Sequence, residues 1–290
     1  MLIFLPLIFL FTLWRAKFDT KLLWALDALA SLLVIVWLFQ FGSWGWFSYY
    51  LRYLWVILFI YTFVASYFKV KDRPFTKKIK GFEYMTIVVY IVLIFVFGLY
   101  NYQAGKTYTY KGEAIELDFP MNEGTYIIGQ GGNGTMLNYH SAYDSQKYAL
   151  DILKINALGM RAKGIYPHDK EKYEIYSDTI YSPCDGTIIS AENNLEDFTP
   201  PNSDPEHPAG NHVTMQCDGV DADILLAHMK KGSVQVDVGE TVQRQQPLGQ
   251  IGNSGNTTEP HLHIHAEKDG QGIPITFNQR FLVRNQTITQ

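Results

Sequence analysis

The chain is poor in charge and nearly free of cysteine: of 290 residues, 18% are charged and two are Cys. No Cys-x-x-Cys pair occurs, which excludes a thiolate metal knuckle or a dithiol redox motif of ordinary spacing. Tryptophan is absent after residue 55, and histidine is absent before residue 140. Such segregation excludes one uniform globular domain, and 47% hydrophobic residues exclude a disordered chain. Residues 101–290 also lack a basic excess, with fourteen Lys/Arg against twenty-four Asp/Glu. That argues against nucleic acid as a partner, because phosphate binding needs a basic surface.

What the first hundred residues do have is long apolar runs, at roughly residues 23–41, 45–68 and 84–100. A bilayer's hydrocarbon core takes about 17–25 apolar residues per helix. Arg52 interrupts the second run and is expected to face other helices or to snorkel. Met1 to Trp14 is a shorter fourth run with no basic flank before it and no small-residue cleavage site after it, unlike a removable signal peptide. Arg15, Lys17 and Lys21 form one basic connection; Lys69, Lys71, Arg73, Lys77, Lys78 and Lys80 form another. Basic loops stay in the cytoplasm. The turn near Gly42 to Gly45 is then outside, and the last span delivers everything after Tyr100 to the outer face. The reading is therefore a membrane region over residues 1–100, with three or four transmembrane helices in contact with the lipid bilayer. An exported domain follows over residues 101–290.

After Tyr100 the pattern changes to short apolar or alternating runs such as Thr187-Ile188-Ile189, Val213-Thr214-Met215 and Ile224-Leu225-Leu226, separated by Asp-Gly and similar turns. That spacing predicts a mainly-β domain of short strands. Gly159 to Ser177 and Glu192 to Gly210 read as inserted surface loops, and His168 and His207 within them as solvated residues. Cys184 and Cys217 each precede Asp-Gly, near strand ends. An exported domain permits a bridge between them, and the sequence leaves this open against two buried thiols, with the thiols slightly favoured.

The segment Pro260-His261-Leu262-His263-Ile264-His265 carries the chemistry. On a strand, His261, His263 and His265 share one face, with Leu262 and Ile264 on the other. Three imidazoles on one face suit a metal that accepts His nitrogen and carboxylate oxygen. Two further segments add donors: Asn138-Tyr139-His140 with Ala149-Leu150-Asp151-Ile152 downstream, and Leu225-Leu226-Ala227-His228.

In these residues the chain resembles the lysostaphin/LytM-type zinc metallopeptidases, which cut peptide bonds in bacterial peptidoglycan. The frame is similar too: Ser182-Pro183-Cys184-Asp185-Gly186, Gly210-Asn211-His212-Val213, and Val238-Gly239-Glu240-Thr241-Val242 through Ile251-Gly252 to Asn253-Ser254-Gly255. The resemblance covers about residues 125–275 and none of the first hundred. It implies antiparallel sheets of the duplicated hybrid motif type. It also implies one zinc held by His140, Asp151 and His263, with His261 as general base and His228 bonding the oxyanion or assisting proton transfer.

The match departs from the family at two points. The family's first His usually stands four residues before the Asp, whereas Lys147 stands there and His140 is eleven residues away. Asp144 lies four after His140 and is the competing acid; the apolar context of Asp151 favours the latter. His265 replaces the family's usual Glu, and is expected either to support a ligand or, with some preference, to face solvent at the strand end. His212 is expected to be a strand residue near the cleft.

The function so implied is a membrane-anchored zinc metalloendopeptidase that hydrolyses peptide bonds, in peptidoglycan, by a metal-activated water. A non-catalytic regulator of cell-wall hydrolases is the alternative. A lipoyl or biotinyl carrier of similar β frame is disfavoured because no Met-flanked Lys turn is present, and a phosphocarrier module because it needs a cytoplasmic location, against the charge topology. Three spans exceed what anchoring needs, which leaves room for a membrane protein partner.

Overall fold

The computed structural model describes residues 1–78 and 80–290; residue 79, in the second basic loop, lies outside the described residues. The chain divides into two compact units, Met1–Trp44 with Tyr50–Gly105, and Gly45–Tyr49 with Lys106–Gln290.

The first unit contains helices α1 (Phe4–Arg15), α2 (Lys21–Phe41), α3 (Leu51–Val70) and α4 (Gly81–Lys106). Thr20 caps α2 by accepting from the Leu23 amide at 3.3 Å. By length and composition α2, α3 and α4 are able to cross a membrane, with mean hydropathies of 2.3, 1.6 and 2.3. The fourth apolar run forms α1, whose twelve residues extend about 18 Å, short of a hydrocarbon core of about 30 Å. Two hydrogen bonds join side chains of different helices: Trp24 Nε1 donates to Ser66 Oγ at 2.9 Å, and Gln40 Nε2 to Asn101 Oδ1 at 2.9 Å. Arg52 faces inward rather than snorkelling; it is buried, with its guanidinium 3.6 Å from the centre of the Phe39 ring.

The second apolar run was expected to be helical from residue 45, but α3 begins at Leu51. Trp44–Trp46 is a short 3-10 turn, and Gly45–Tyr49 is part of the second unit. Trp46 packs there against Ala162 and Tyr173, a tertiary contact that helix periodicity does not reveal.

The second unit is built from strands β1 (Ile115–Leu117), β2 (Thr125–Gln130), β3 (Leu150–Ile155), β4 (Thr179–Tyr181), β5 (Gly186–Glu192), β6 (Asn211–Cys217), β7 (Asp223–Met229), β8 (Thr241–Val242), β9 (Pro247–Gln250), β10 (Leu262–Lys268), β11 (Gln271–Ile273), β12 (Ile275–Phe277) and β13 (Thr287–Thr289). One antiparallel sheet runs in the order β13-β2-β3-β10-β7-β6-β5-β8, with β11 also on β10. β4 pairs with β9, and β1 pairs in parallel with β12. This is the mainly antiparallel β domain that the short alternating runs predict. Each run fills one face by its period of two: Leu150 and Ile152, Leu262 and Ile264, Ile224 and Leu226, and Val213 and Met215 are buried in one core.

Of the two alternatives left open for the cysteines, the structure has the bridge: Cys184 and Cys217 form a disulfide with a Cα–Cα distance of 5.8 Å. Pairing of Gly186 on β5 with Cys217 on β6 brings the two residues side by side, which sequence separation alone does not disclose. Closing a loop of 33 residues stabilises by about 3–4 kcal/mol in the chain-entropy account. The C184S/C217S variant is therefore expected to unfold at lower temperature. The unreduced protein, denatured, should show no thiol in a colorimetric titration.

Candidate metal centre

The site forms because two neighbouring strands present their polar residues in register. His263 on β10 lies opposite Asp151 on β3, and directly opposite residues of paired strands share a face. Their core-facing neighbours Leu262, Ile264, Leu150 and Ile152 are all buried. Asp151 Oδ1 lies 3.1 Å from His263 Nδ1, 3.0 Å from His140 Nε2 and 3.3 Å from His261 Nε2. Asp144, the competing acid, is exposed in the loop between β2 and β3.

His140 reaches the cluster because Asn138 folds its loop back. The buried Asn138 amide donates to the carbonyls of Gly132 at 2.9 Å and Ala149 at 3.1 Å, while its Oδ1 accepts from the His140 amide at 3.1 Å. This closes the eleven-residue gap between His140 and Asp151. Asn138 was not singled out from the sequence; its place just before a short 3-10 turn, Tyr139–Ala142, is the signal that a capping Asn leaves.

His228 arrives by a different device. Strict alternation along β7 puts residue 228 on the same face as Leu226, in the core. Between the pairs Val213–Leu226 and Asn211–Met229, however, β7 carries an extra residue. His228 has φ +64 at this bulge, and the changed alternation turns its ring toward the site. Ring centres lie 4.8 Å from His261 and 5.7 Å from His263.

Backbone carbonyls fix two of the rings. His228 Nδ1 lies 2.9 Å from Ser254 O, and His261 Nδ1 lies 2.8 Å from Glu259 O. A carbonyl only accepts, so each Nδ1 carries a proton; the neutral His228 ring then keeps its lone pair on Nε2, while His261 Nε2 faces the Asp151 carboxylate. The Ser254 loop is held in turn by Asn211, whose amide donates to Ser254 Oγ at 2.9 Å. A Cβ on Gly210, at φ +59, would stand 2.4 Å from Ser254 backbone. Only glycine fits this crossing, which explains the Gly210-Asn211 and Ser254-Gly255 motifs as supports of His228.

His265 corrects the preference for solvent. It is buried, and its Nδ1 lies 2.9 Å from His263 Nε2. His212 is a β6 residue bonded to Gly210 O at 2.8 Å and outside the cluster. His168 is exposed yet bonds Pro200 O at 2.8 Å, tying the two inserted loops together; His207 pairs with Asp204 at 2.8 Å.

The electrostatics separate the rings into two classes. Burial disfavours charge on Asp151, but His140 and His261 outweigh it and hold the carboxyl well below the usual range. For His140 and His261 burial likewise opposes the proton, and Asp151 overrides it, raising both. Burial and the neighbouring imidazoles keep His228 well below its ordinary value and push His265 down to about 3. Among the described residues, two donor groups have ligand atoms within 4.8 Å of one another: His140 with Asp151 and His263, and His228 with His261 and His263. The donor types of the first are those zinc takes, and its two carboxylate-to-imidazole edges suit zinc by spacing. Tetrahedral bonds of 2.0–2.1 Å imply ligand–ligand edges of about 3.3 Å, and its carboxylate-to-imidazole distances are 3.0 and 3.1 Å.

Residues 169–274 match the model of Peptidase family M23. The family resemblance read from the motifs is thus met over this span, which holds His228, His261, His263 and His265 and begins after His140 and Asp151. Among solved structures, a Pseudomonas aeruginosa protein assigned to peptidase M23 is 15% identical over 62% of this chain and 56% of its own, with a TM-score of 0.33. Lysostaphin from Staphylococcus simulans is 18% identical over 49% of this chain and 42% of its own, with a TM-score of 0.30. A zinc-containing peptidase from Vibrio cholerae is 19% identical over 43% and 48%, with a TM-score of 0.26. The chain thus spans about half the length of each. No curated protein matches.

Removing the Asn138 amide unpairs several backbone groups at once, at a cost of about 2–4 kcal/mol. Asn138→Ala is expected to release the His140 loop while the sheet stays folded. Hydrogen exchange should rise at least about tenfold over residues 134–147 and remain unchanged in β10.

Proposed function

We propose that this protein is a membrane-anchored zinc endopeptidase acting on peptide bonds of peptidoglycan outside the cytoplasmic membrane. The observation that carries this reading is the set of contacts at Asp151 Oδ1, 3.0–3.3 Å from three imidazole nitrogens. The M23 match over residues 169–274 supports the peptidase class. His140 Nε2, Asp151 and His263 Nδ1 would hold one zinc ion. Bound zinc supplies Lewis acidity, which lowers the pKa of a ligated water toward about 7 and polarises the scissile carbonyl.

The remaining side chains handle protons and orientation. With its Nδ1–H committed to Glu259 O, His261 offers Nε2 as the general base. His228, committed in the same way to Ser254 O, presents its Nε2 lone pair to the site, where it would accept a hydrogen bond from the attacking water and so assist the proton transfer to His261. His265 Nδ1 accepts from His263 Nε2–H, which leaves the His263 Nδ1 lone pair for the metal. The domain reading is a membrane region over residues 1–100 and an exported peptidase over 101–290. It rests on three apolar helices and on basic connections, which stay in the cytoplasm.

The full-length protein in lipid nanodiscs is expected to bind one zinc per chain and to hydrolyse a peptidoglycan stem or cross-bridge peptide, with chelation abolishing both. Asp151→Ala and His263→Ala should lose metal and activity together. His261→Ala should keep the metal and lose about 10²–10⁴-fold in kcat. Hydrolysis by metal-free His263→Ala would overturn the mechanism. A wild-type protein that takes up no zinc would point to a non-catalytic regulator of cell-wall hydrolases. Placement is tested separately: a phosphatase fused after residue 106 should be active only if that point is outside.

A further inference from the structure

The turn that joins α2 to α3 in sequence belongs to the β unit. Two backbone hydrogen bonds pin it: Arg161 N donates to Gly45 O at 2.9 Å, and Tyr49 N to Gly159 O at 2.8 Å. Tyr49 packs against Ile127, Leu153 and Ile155. Leu153 and Ile155 alternate with Asp151 along β3, so Tyr49 lies on the sheet face that carries the metal cluster. Trp46 is buried, with Tyr166 and Tyr173 at ring-centre distances of 3.9 and 6.0 Å, and with the Arg161 guanidinium 4.1 Å from its own ring.

Arg161 then reaches the site. Its Nη1 donates to Glu259 Oε1 at 2.7 Å, and the Arg161 side chain is 7% exposed. Glu259 provides the carbonyl that accepts from His261 Nδ1 and, at 2.7 Å, from Thr257 Oγ1. A guanidinium largely removed from water holds its direction only if its carboxylate partner and the surface it stacks on are both in place. Trp46 supplies that surface.

We infer that Trp46 is a positioning residue for the metal centre: through Arg161 and Glu259 it fixes the backbone that orients the His261 ring. One support of the site thus comes from a stretch of the second unit, Gly45–Tyr49, that lies between α2 and α3 in sequence. This coupling stands on the contacts themselves, while its catalytic consequence rests on the peptidase reading above.

The test uses the full chain in nanodiscs and measures hydrogen exchange over residues 255–264. Trp46→Ala is expected to speed exchange there about tenfold, with β3 and β6 unchanged. Trp46→Phe should stay near wild type because it keeps an aromatic face. Arg161→Met should reproduce the Trp46→Ala effect, and the double variant should add nothing to either. With a cleavable peptide, Trp46→Ala should lower kcat about tenfold at unchanged KM and unchanged zinc stoichiometry. Wild-type exchange over 255–264 in both single variants would overturn the inference, as would an equal rise across the whole sheet or additive effects in the double variant. A wild-type protein that cleaves nothing would count against the peptidase reading alone, since the exchange result still decides the coupling.

Discussion

The pairing of Asp151 on β3 with His263 on β10 is the constraint on which the candidate centre depends. A largely buried carboxylate is costly to keep charged unless cations or hydrogen-bond donors face it. The register places His263 beside Asp151 within one sheet, and His140 and His261 complete the ring of donors around the same oxygen. A slip of one residue between these strands would send Asp151 to the face of Leu150 and Ile152, which is core. Hydrophobic burial on one face therefore fixes the polar geometry on the other.

Around that pair, the supporting residues act on protons and loop paths. Ser254 and Glu259 offer carbonyls that settle which nitrogen of His228 and His261 carries hydrogen. His265 holds the His263 ring from its far side, with Nδ1 2.9 Å from His263 Nε2. Asn138 shortens the path from His140 to Asp151, and Gly210 lets the Ser254 loop approach within a distance that any Cβ would block. None of these groups is itself a proposed ligand, yet each bears on where a donor atom points. Trp46 and Arg161 extend the same logic one layer further, into a turn whose sequence neighbours are apolar helices.

Much of this was legible in the chain. The sequence divides into an apolar, basic first hundred residues and an acidic, histidine-bearing remainder, while the two compact units are Met1–Trp44 with Tyr50–Gly105 and Gly45–Tyr49 with Lys106–Gln290. The alternation in His261 to His265 and the Ala-Leu-Asp-Ile context of Asp151 sufficed to separate core face from polar face, because period-two burial is a local property. Asp144 was rightly kept as a loop residue on the same ground. The burial of His265 was not legible, since nothing in a strand's own alternation says how far the cleft extends along it. Nor was the disulfide, because the register between β5 and β6 is set by the whole sheet.

The sequence by itself thus determined the class of each segment: which runs are apolar enough to span a membrane, which alternate as strands, and which donors stand on one face of a strand. Those properties follow from side-chain hydrophobicity and backbone period, and both act over a few residues. The tertiary structure alone decided the rest. It folded His140 back across eleven residues, turned His228 out of the core at a bulge, buried His265, joined the cysteines and drew Gly45–Tyr49 into the β unit. Each of these depends on a contact between residues distant in the chain, and no local pattern encodes which distant groups will meet.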